Sequence, residues 1–517
     1  VHPRFLETVV GKGYRFVGPV RVLDARYPSS ETPHGAISSS TPSQTAGWSE
    51  RSSLAVLPLL LLGKPADDDG ICLGFADVLI TRLGNLSGVD VLPISAVMNF
   101  PASAPPSETA TRLGVRFVLH GALQMSKGQW RLSLELLDTH TQRKLFSRKH
   151  DLDLNRISEL EDEISRQIAL ALNRPVTPLA TQRRPRHSRD PMAYAEFIRG
   201  YRLSSSGDPS TLEEAAQRLS NAITRDPAFP LAHATLSLVC ATRYFELDPA
   251  SEWLERAEFH CRRSLELDPD LPEARLASAF LLWSPSKNFQ HLEAISELKR
   301  ALALQNNLPQ AYNRLGTILA HIGLLDHARE MYERGRPFHP KKAVSHSIVQ
   351  VYLWKGEFDL ARSEIHAWLA ENPGNKYPLY FAPHLAMMSG HVKEAKSLLD
   401  EALQLLPDEP LFAGLQGVYY AMAGKADRAL DCLTRACAIP KSFGHAHHSY
   451  YQFACILALL ERRDAAFEWL QRSVATGFAC WPFFLRDPWL KNLRELPAFD
   501  VLVSSLQAKY PDHLGLL

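Results

Sequence analysis

Hydrophobic and polar positions alternate at the start of the chain, gather in short blocks through its first third, and recur at helical spacing from there onward. Two alternating runs, residues 5–10 and 14–17, flank Gly11-Lys12-Gly13, whose glycines supply the backbone freedom of a tight turn; they predict a β-hairpin. From 28 to 53, Ser, Thr and Pro replace nearly every large apolar residue, so burial cannot offset the entropy of ordering and a mobile linker is expected. Order resumes at Leu54-Ala55-Val56-Leu57. Helical spacing of Phe75, Val78, Leu79, Leu83 and Leu86 predicts a helix over 74–86, followed by a strand over 89–94. Runs at 115–119 and 130–136, with a Ser126-Lys127-Gly128 turn between them, predict an antiparallel pair, and 157–172 a closing helix. Strands interleaved with helices make 52–173 an α/β or α+β domain.

From 191 to about 510 the pattern repeats. Ala215, Ala257, Ala294, Ala328, Ala361, Ala395, Ala429 and Ala466 are separated by 42, 37, 34, 33, 34, 34 and 37 residues. A second small-residue register lies seven further on, at Ala222, Ser264, Ala301, Gly335, Ala402, Ala436 and Ser473, with Trp368 as the exception. Pro227, Pro269, Pro340, Pro373 and Pro407 end most units. Two antiparallel helices approach closely only where one presents a small side chain, and Pro stops the second helix before the next begins. Eight stacked helical hairpins, a solenoid, are predicted. The segment 174–190, with Arg183, Arg184, Arg186 and Arg189 among prolines and five positive charges against one negative, reads as a solvated linker, with a nucleic-acid or partner contact as the alternative.

Composition narrows the function classes. With 57 Lys+Arg against 56 Asp+Glu in 517 residues, no global field recruits nucleic acid or membrane. The longest apolar run, 54–62, is broken by Pro58 and falls far short of the roughly 20 residues that span a bilayer, so no membrane partner is expected. Seven cysteines without a CxxC fit buried thiols in a reducing compartment. The start, Val1-His2-Pro3-Arg4, has neither an initiator Met nor signal-peptide order, and the chain is expected to begin partway through a domain.

No phosphate-cradling, nucleophile-elbow or zincin motif occurs, so we expect no enzyme, no catalytic residues and no cofactor. Asp67-Asp68-Asp69-Gly70 lacks the alternating oxygen ligands of a calcium loop and reads as an acidic turn. His445, His447 and His448 lack a Cys, an Asp or a second His pair at ligand spacing, so they read as loop histidines and no metal is expected. Cys432 and Cys437, five apart on one helix, project about 140° apart and suit packing better than a disulfide. Tyr419, Tyr420, Tyr450, Tyr451, Trp481, Phe483 and Phe484 suit interhelix core, with a peptide-binding groove as the alternative.

Three resemblances follow. Tyr312, Leu315, Gly316, Leu319, Gly323, Ala328, Tyr332 and Pro340 match the tetratricopeptide pattern, from which Val349 and Pro383 depart at the place of Gly316, implying kinked or less tightly packed first helices. The last unit, ending in Asp487-Pro488, Leu493-Arg494 and Pro497-Ala498-Phe499, resembles the tail of bacterial chains of this type. Phe5-Leu6-Glu7-Thr8-Val9 and Gly13-Tyr14-Arg15-Phe16-Val17 resemble the final strands and wing of the OmpR/PhoB-type winged-helix domain. That resemblance implies wing contacts to DNA phosphates from Lys12 and Arg15, and more weakly Arg4, with the recognition helix absent from this chain. Residues 52–173, through Leu54-Ala55-Val56-Leu57-Pro58, Gly74-Phe75-Ala76-Asp77 and Leu113-Gly114-Val115-Arg116-Phe117-Val118-Leu119-His120-Gly121, resemble the TolB-like domain.

The implied fold is a multidomain α+β chain: a remnant winged-helix β-hairpin at 1–22, a linker at 23–51, an α/β TolB-like domain at 52–173, a linker at 174–190, and an all-α tetratricopeptide solenoid at 191–510. The implied function is a cytoplasmic bacterial DNA-binding transcriptional regulator, with the repeat array binding a protein or peptide. The alternatives are the regulatory half of a class III nucleotide cyclase and a non-enzymatic scaffold.

Overall fold

A computed structural model describes residues 6–9, 13–16 and, with short gaps, 52–511; the gaps are 63–68, 85, 99, 127–128, 153–156, 175–187, 189, 205–207, 249, 339–345, 372–374, 407–409 and 439–443. The chain forms two compact units, 1–50 and 51–517. In the first, β1 (Leu6–Val9) and β2 (Gly13–Phe16) pair antiparallel, with Glu7 opposite Arg15 and Thr8 opposite Tyr14.

The second unit opens with a six-stranded mixed sheet. Its strands are β3 (Ser52–Val56), β4 (Leu60–Leu62), β5 (Val89–Val91), β6 (Phe117–Ser126), β7 (Gln129–Asp138) and β8 (Arg143–Leu152), in the order β5-β3-β6-β7-β8 with β4 also on β6. β3 pairs parallel with β5 and β6, while β6–β7 and β7–β8 are antiparallel. Leu54, Ala55 and Val56 are all buried, as suits a central strand covered on both faces. On β7, Leu132, Leu134 and Leu136 are buried while Arg131 is exposed and Ser133 and Glu135 are half-buried, the period-two pattern of a one-sided strand. Helices α1 (Asp69–Leu83), α2 (Ile94–Val97), α3 (Pro106–Leu113) and α4 (Ile157–Ala171) complete this part.

Several elements differ from expectation. The first helix begins five residues earlier than the spacing of Phe75 to Leu86 indicates, at Asp69, and ends at Leu83. The strand expected over 89–94 stops at Val91, because Pro93 begins the turn into α2. β8 has no apolar period to mark it: it is an edge strand whose Arg143, Lys144, Arg148 and Lys149 are exposed, and charge on an edge discourages further pairing and erases the alternation.

The rest is helical, and eight antiparallel hairpins follow one another. They are α5 (Pro191–Leu203) with α6 (Pro209–Arg225), α7 (Pro230–Glu246) with α8 (Ser251–Leu267), α9 (Pro272–Leu282) with α10 (His291–Leu304), and α11 (Pro309–His321) with α12 (Leu325–Gly335). Then come α13 (His346–Lys355) with α14 (Phe358–Glu371), α15 (Lys376–Met388) with α16 (Val392–Leu405), α17 (Pro410–Met422) with α18 (Ala426–Ala438), and α19 (Ala446–Leu459) with α20 (Arg463–Ala475). All eight register alanines lie in second helices, fully buried. In the second register, Ala222, Ser264, Ala301, Ala402 and Ser473 are also fully buried, whereas the larger Trp368 is only half-buried. Close approach explains the size limit: a Cβ on Gly335 of the same register would stand 2.7 Å from the Tyr312 Cβ. Pro383 lies inside α15, which continues from Lys376 to Met388. The tail adds α21 (Trp481–Arg486), a 3-10 helix (Pro488–Glu495) and α22 (Pro497–Lys509).

The sheet part and the first hairpins touch directly. The Tyr194 ring of α5 lies so close to Gly74 of α1 that a Cβ there would meet it at 2.4 Å. The buried Asn307 amide donates to the Val91 carbonyl at 3.1 Å. Among the described residues no helix is long and apolar enough to cross a membrane.

Candidate functional site

The first helices of the repeats place a row of large side chains on one face. His321, the last residue of α11, stands seven residues before Ala328, as Trp354 of α13 stands seven before Ala361. Trp283, just beyond α9, extends the row. This face is covered by the chain's own last repeat and tail. Gly444 donates its N–H to the Phe245 carbonyl at 2.7 Å, and Ala479 donates to the His321 carbonyl at 2.8 Å. Phe478 packs on Trp354 with ring centroids 5.0 Å apart. His291 shares a hydrogen bond of 3.1 Å with the Gly477 carbonyl.

Where α11 meets α19, four imidazoles converge. His445 stands at the N-cap position of α19, His447 and His448 occupy its first turn, and His321 reaches them from the end of α11. One ring nitrogen from each lies within 4.8 Å of those of the other three. His321 Nε2 is 3.2 Å from His448 Nε2, and His445 Nδ1 is 3.3 Å from His447 Nε2. His321 and His447 each turn Nδ1 to a backbone carbonyl, Thr317 at 2.7 Å and Thr476 at 2.8 Å. An Nδ1–H donated there leaves Nε2 as a bare acceptor facing the cluster. Trp283, Trp354 and Phe478 wall the group, and His321 and His447 are almost wholly buried. Burial, reinforced by the neighbouring imidazoles, holds all four pKa values well below the ordinary histidine value, so the rings are neutral.

The expectation of loop histidines is therefore corrected: the three stand at the start of a helix and face an interior. His321 carries no local mark of the cluster, because the fold, not chain proximity, supplies the fourth imidazole. The signal available was its position in the repeat, equivalent to Trp354.

A second buried polar group lies close by in the tail. Asp487 is fully buried, accepts from the Trp489 N–H at 2.8 Å and takes a hydrogen bond from the Tyr451 hydroxyl. Burial pushes its carboxyl up to about 6.

The other candidates are placed as follows. Arg4 and Lys12 lie outside the described residues, as do Asp67, Asp68 and the arginines at 183, 184, 186 and 189; Arg15 lies in β2. Asp69 and Gly70 begin α1. Cys432 and Cys437 both lie on α18, and no disulfide joins the cysteines. Tyr419, Tyr450, Tyr451, Phe483 and Phe484 are buried, and Tyr420 and Trp481 half-buried. These side chains pack within the fold: Tyr451, for example, lies against Phe478, Phe483 and Phe484.

Residues 50–167 match the family model of the second domain of HilA/YgeH-like transcriptional regulators. Over 194 residues the chain is 27% identical to the Rhizobium meliloti (strain 1021) protein named "Putative adenylate cyclase 3", a match covering 37% of this chain and 33% of that protein. The chain thus spans about a third of that relative's length. Among solved structures, Pseudomonas aeruginosa PilF is similar over 44% of this chain and 97% of its own, at 20% identity and a TM-score of 0.34. A tetratricopeptide repeat protein from Parabacteroides merdae ATCC 43184 is similar over 59% and 99%, at 13% identity and a TM-score of 0.26. The solenoid rests on its own eight hairpins and not on these likenesses.

Proposed function

We propose that the chain belongs to a cytoplasmic bacterial transcriptional regulator that binds promoter DNA, with no enzymatic activity of its own. The observation that carries this reading is the match of residues 50–167 to the second domain of HilA/YgeH-like regulators. The hairpin of β1 and β2 would be the wing of an OmpR/PhoB-type winged helix, with Lys12, Arg15 and Arg4 neutralising phosphates beside a recognition helix contributed by the intact protein. The TolB-like part would connect DNA binding to the solenoid, and the solenoid would take a protein partner. Because the row from Trp283 to Trp354 is covered by the chain's own tail, that partner would use another face or displace the tail.

The likeness to the Rhizobium meliloti protein favours a second reading, the regulatory half of a class III nucleotide cyclase. Deleting the full-length gene in its native cell, with transcripts and cyclic nucleotides measured together, separates the two. A discrete set of altered transcripts at unchanged cyclic nucleotide levels supports the regulator. Loss of cyclic nucleotide production, restored by the intact protein, overturns it in favour of the cyclase.

A further inference from the structure

Four neutral imidazoles with nitrogens turned inward form a donor set with a definite chemical preference. Imidazole suits zinc, copper, nickel and iron, whereas magnesium and calcium require oxygen ligands, which this cluster does not offer. Zinc–nitrogen bonds of about 2.0–2.1 Å in a tetrahedron place neighbouring nitrogens roughly 3.3 Å apart. Two opposite edges of the cluster already have that length, His321–His448 at 3.2 Å and His445–His447 at 3.3 Å. The other edges are all within 4.8 Å and would shorten as the nitrogens close on an ion.

The surroundings fit as well. Metal-bound histidines ordinarily donate their second ring N–H to a carbonyl or carboxylate, which fixes tautomer and ring orientation. His321 and His447 meet this condition through Thr317 and Thr476. His445 and His448 are half-buried where His321 and His447 are sealed, so an ion would enter past them.

We propose that His321, His445, His447 and His448 bind one zinc-class divalent transition-metal ion, which clamps the fourth hairpin to the eighth. The ion ties the end of α11 to the start of α19 and holds the last repeat and tail over the row of Trp283 and Trp354. No carboxylate or thiolate in the cluster offsets its charge, so the site is weaker than a thiolate zinc site and yields its ion to a strong chelator. In the competing metal-free arrangement, His445 Nδ1 and His448 Nε2 donate protons to His447 and His321.

The test uses the whole chain, purified without a polyhistidine tag, stripped with chelator and titrated with zinc or cobalt(II). The expected result is one tightly held zinc per chain, a raised melting temperature, and the intense visible bands of tetrahedral cobalt. In His321→Asn and His448→Asn, zinc retention should fall at least tenfold. X-ray absorption of the wild-type zinc form should show imidazole nitrogens alone, or with one water, and needs no variant to fold. Failure of the wild type to retain zinc, or a spectrum of oxygen ligands, overturns the proposal in favour of the metal-free arrangement. Retention unchanged in both folded variants overturns it too, because the ion is then held elsewhere.

Discussion

Trp354 of the fifth hairpin and Phe478, which follows the eighth, meet with ring centroids 5.0 Å apart and planes inclined at 45°. Phe478 is fully buried and also lies against His321, Tyr451 and Phe484. The contact joins the side-chain row of the first helices to the chain's own end. Phe478→Ala should therefore cost about 3–5 kcal/mol, the usual range for emptying a buried aromatic site. Hydrogen exchange should rise first in α21, α22 and the start of α19, with α5 to α8 little changed. Uniform exchange throughout the solenoid would contradict a local clamp.

The repeat register makes a second prediction. Ala395 of α16 is fully buried where two helices approach, so Ala395→Leu should destabilise by about 1–3 kcal/mol through overpacking. Glu401→Leu, on an exposed position of the same helix, should stay within about 0.5 kcal/mol. Urea denaturation of the two variants checks this, and equal losses would refute the register.

Asp487 gives a pH prediction with a definite sign. Its folded pKa of about 6 lies above the ordinary 3.8, so the folded chain binds the proton more tightly than the unfolded one. The stability this confers is complete below about pH 4 and lost as pH rises through about 6, a change of roughly 3 kcal/mol. Tyr451, Cys455 and Arg494 face the carboxyl and set its environment. Asp487→Asn should be nearly neutral at pH 4 and should gain on the wild type by pH 8. Thermal melts across that range read the difference; parallel profiles would show that Asp487 does not titrate in the folded chain.

The repeats were legible because a helix–helix contact that excludes every large side chain writes a small residue into each unit, and Ala215 through Ala466 record it. The sheet was half legible. β7 alternates because one face is buried, whereas β8 lies at the edge with charges outward and carries no apolar period. The histidine cluster was legible only in its local part: His445, His447 and His448 are chain neighbours, but His321 joins them only where the fold brings α11 to α19. No short-range pattern records such a contact. The coverage of the Trp283–Trp354 row by the tail was hidden for the same reason.

The wing assignment predicts a specific salt dependence. If Lys12 and Arg15 neutralise phosphates, replacing both by Ala in the full-length protein should lower the slope of log affinity against log salt by about 0.9 per lost contact. All DNA sequences should weaken alike, since base preference would reside in the recognition helix. Titration of wild type and double variant at several salt concentrations measures it. Identical slopes, with the fold intact by circular dichroism, would remove both residues from the interface.

Genome-wide chromatin immunoprecipitation of the natural full-length protein, crosslinked in its own cells, tests the regulator reading most directly. The reading predicts a limited set of enriched sites upstream of genes, sharing a common sequence element and lost when the Lys12→Ala, Arg15→Ala protein replaces the wild type at equal abundance. A well-expressed wild-type protein that enriches no sites above the untagged control would contradict it.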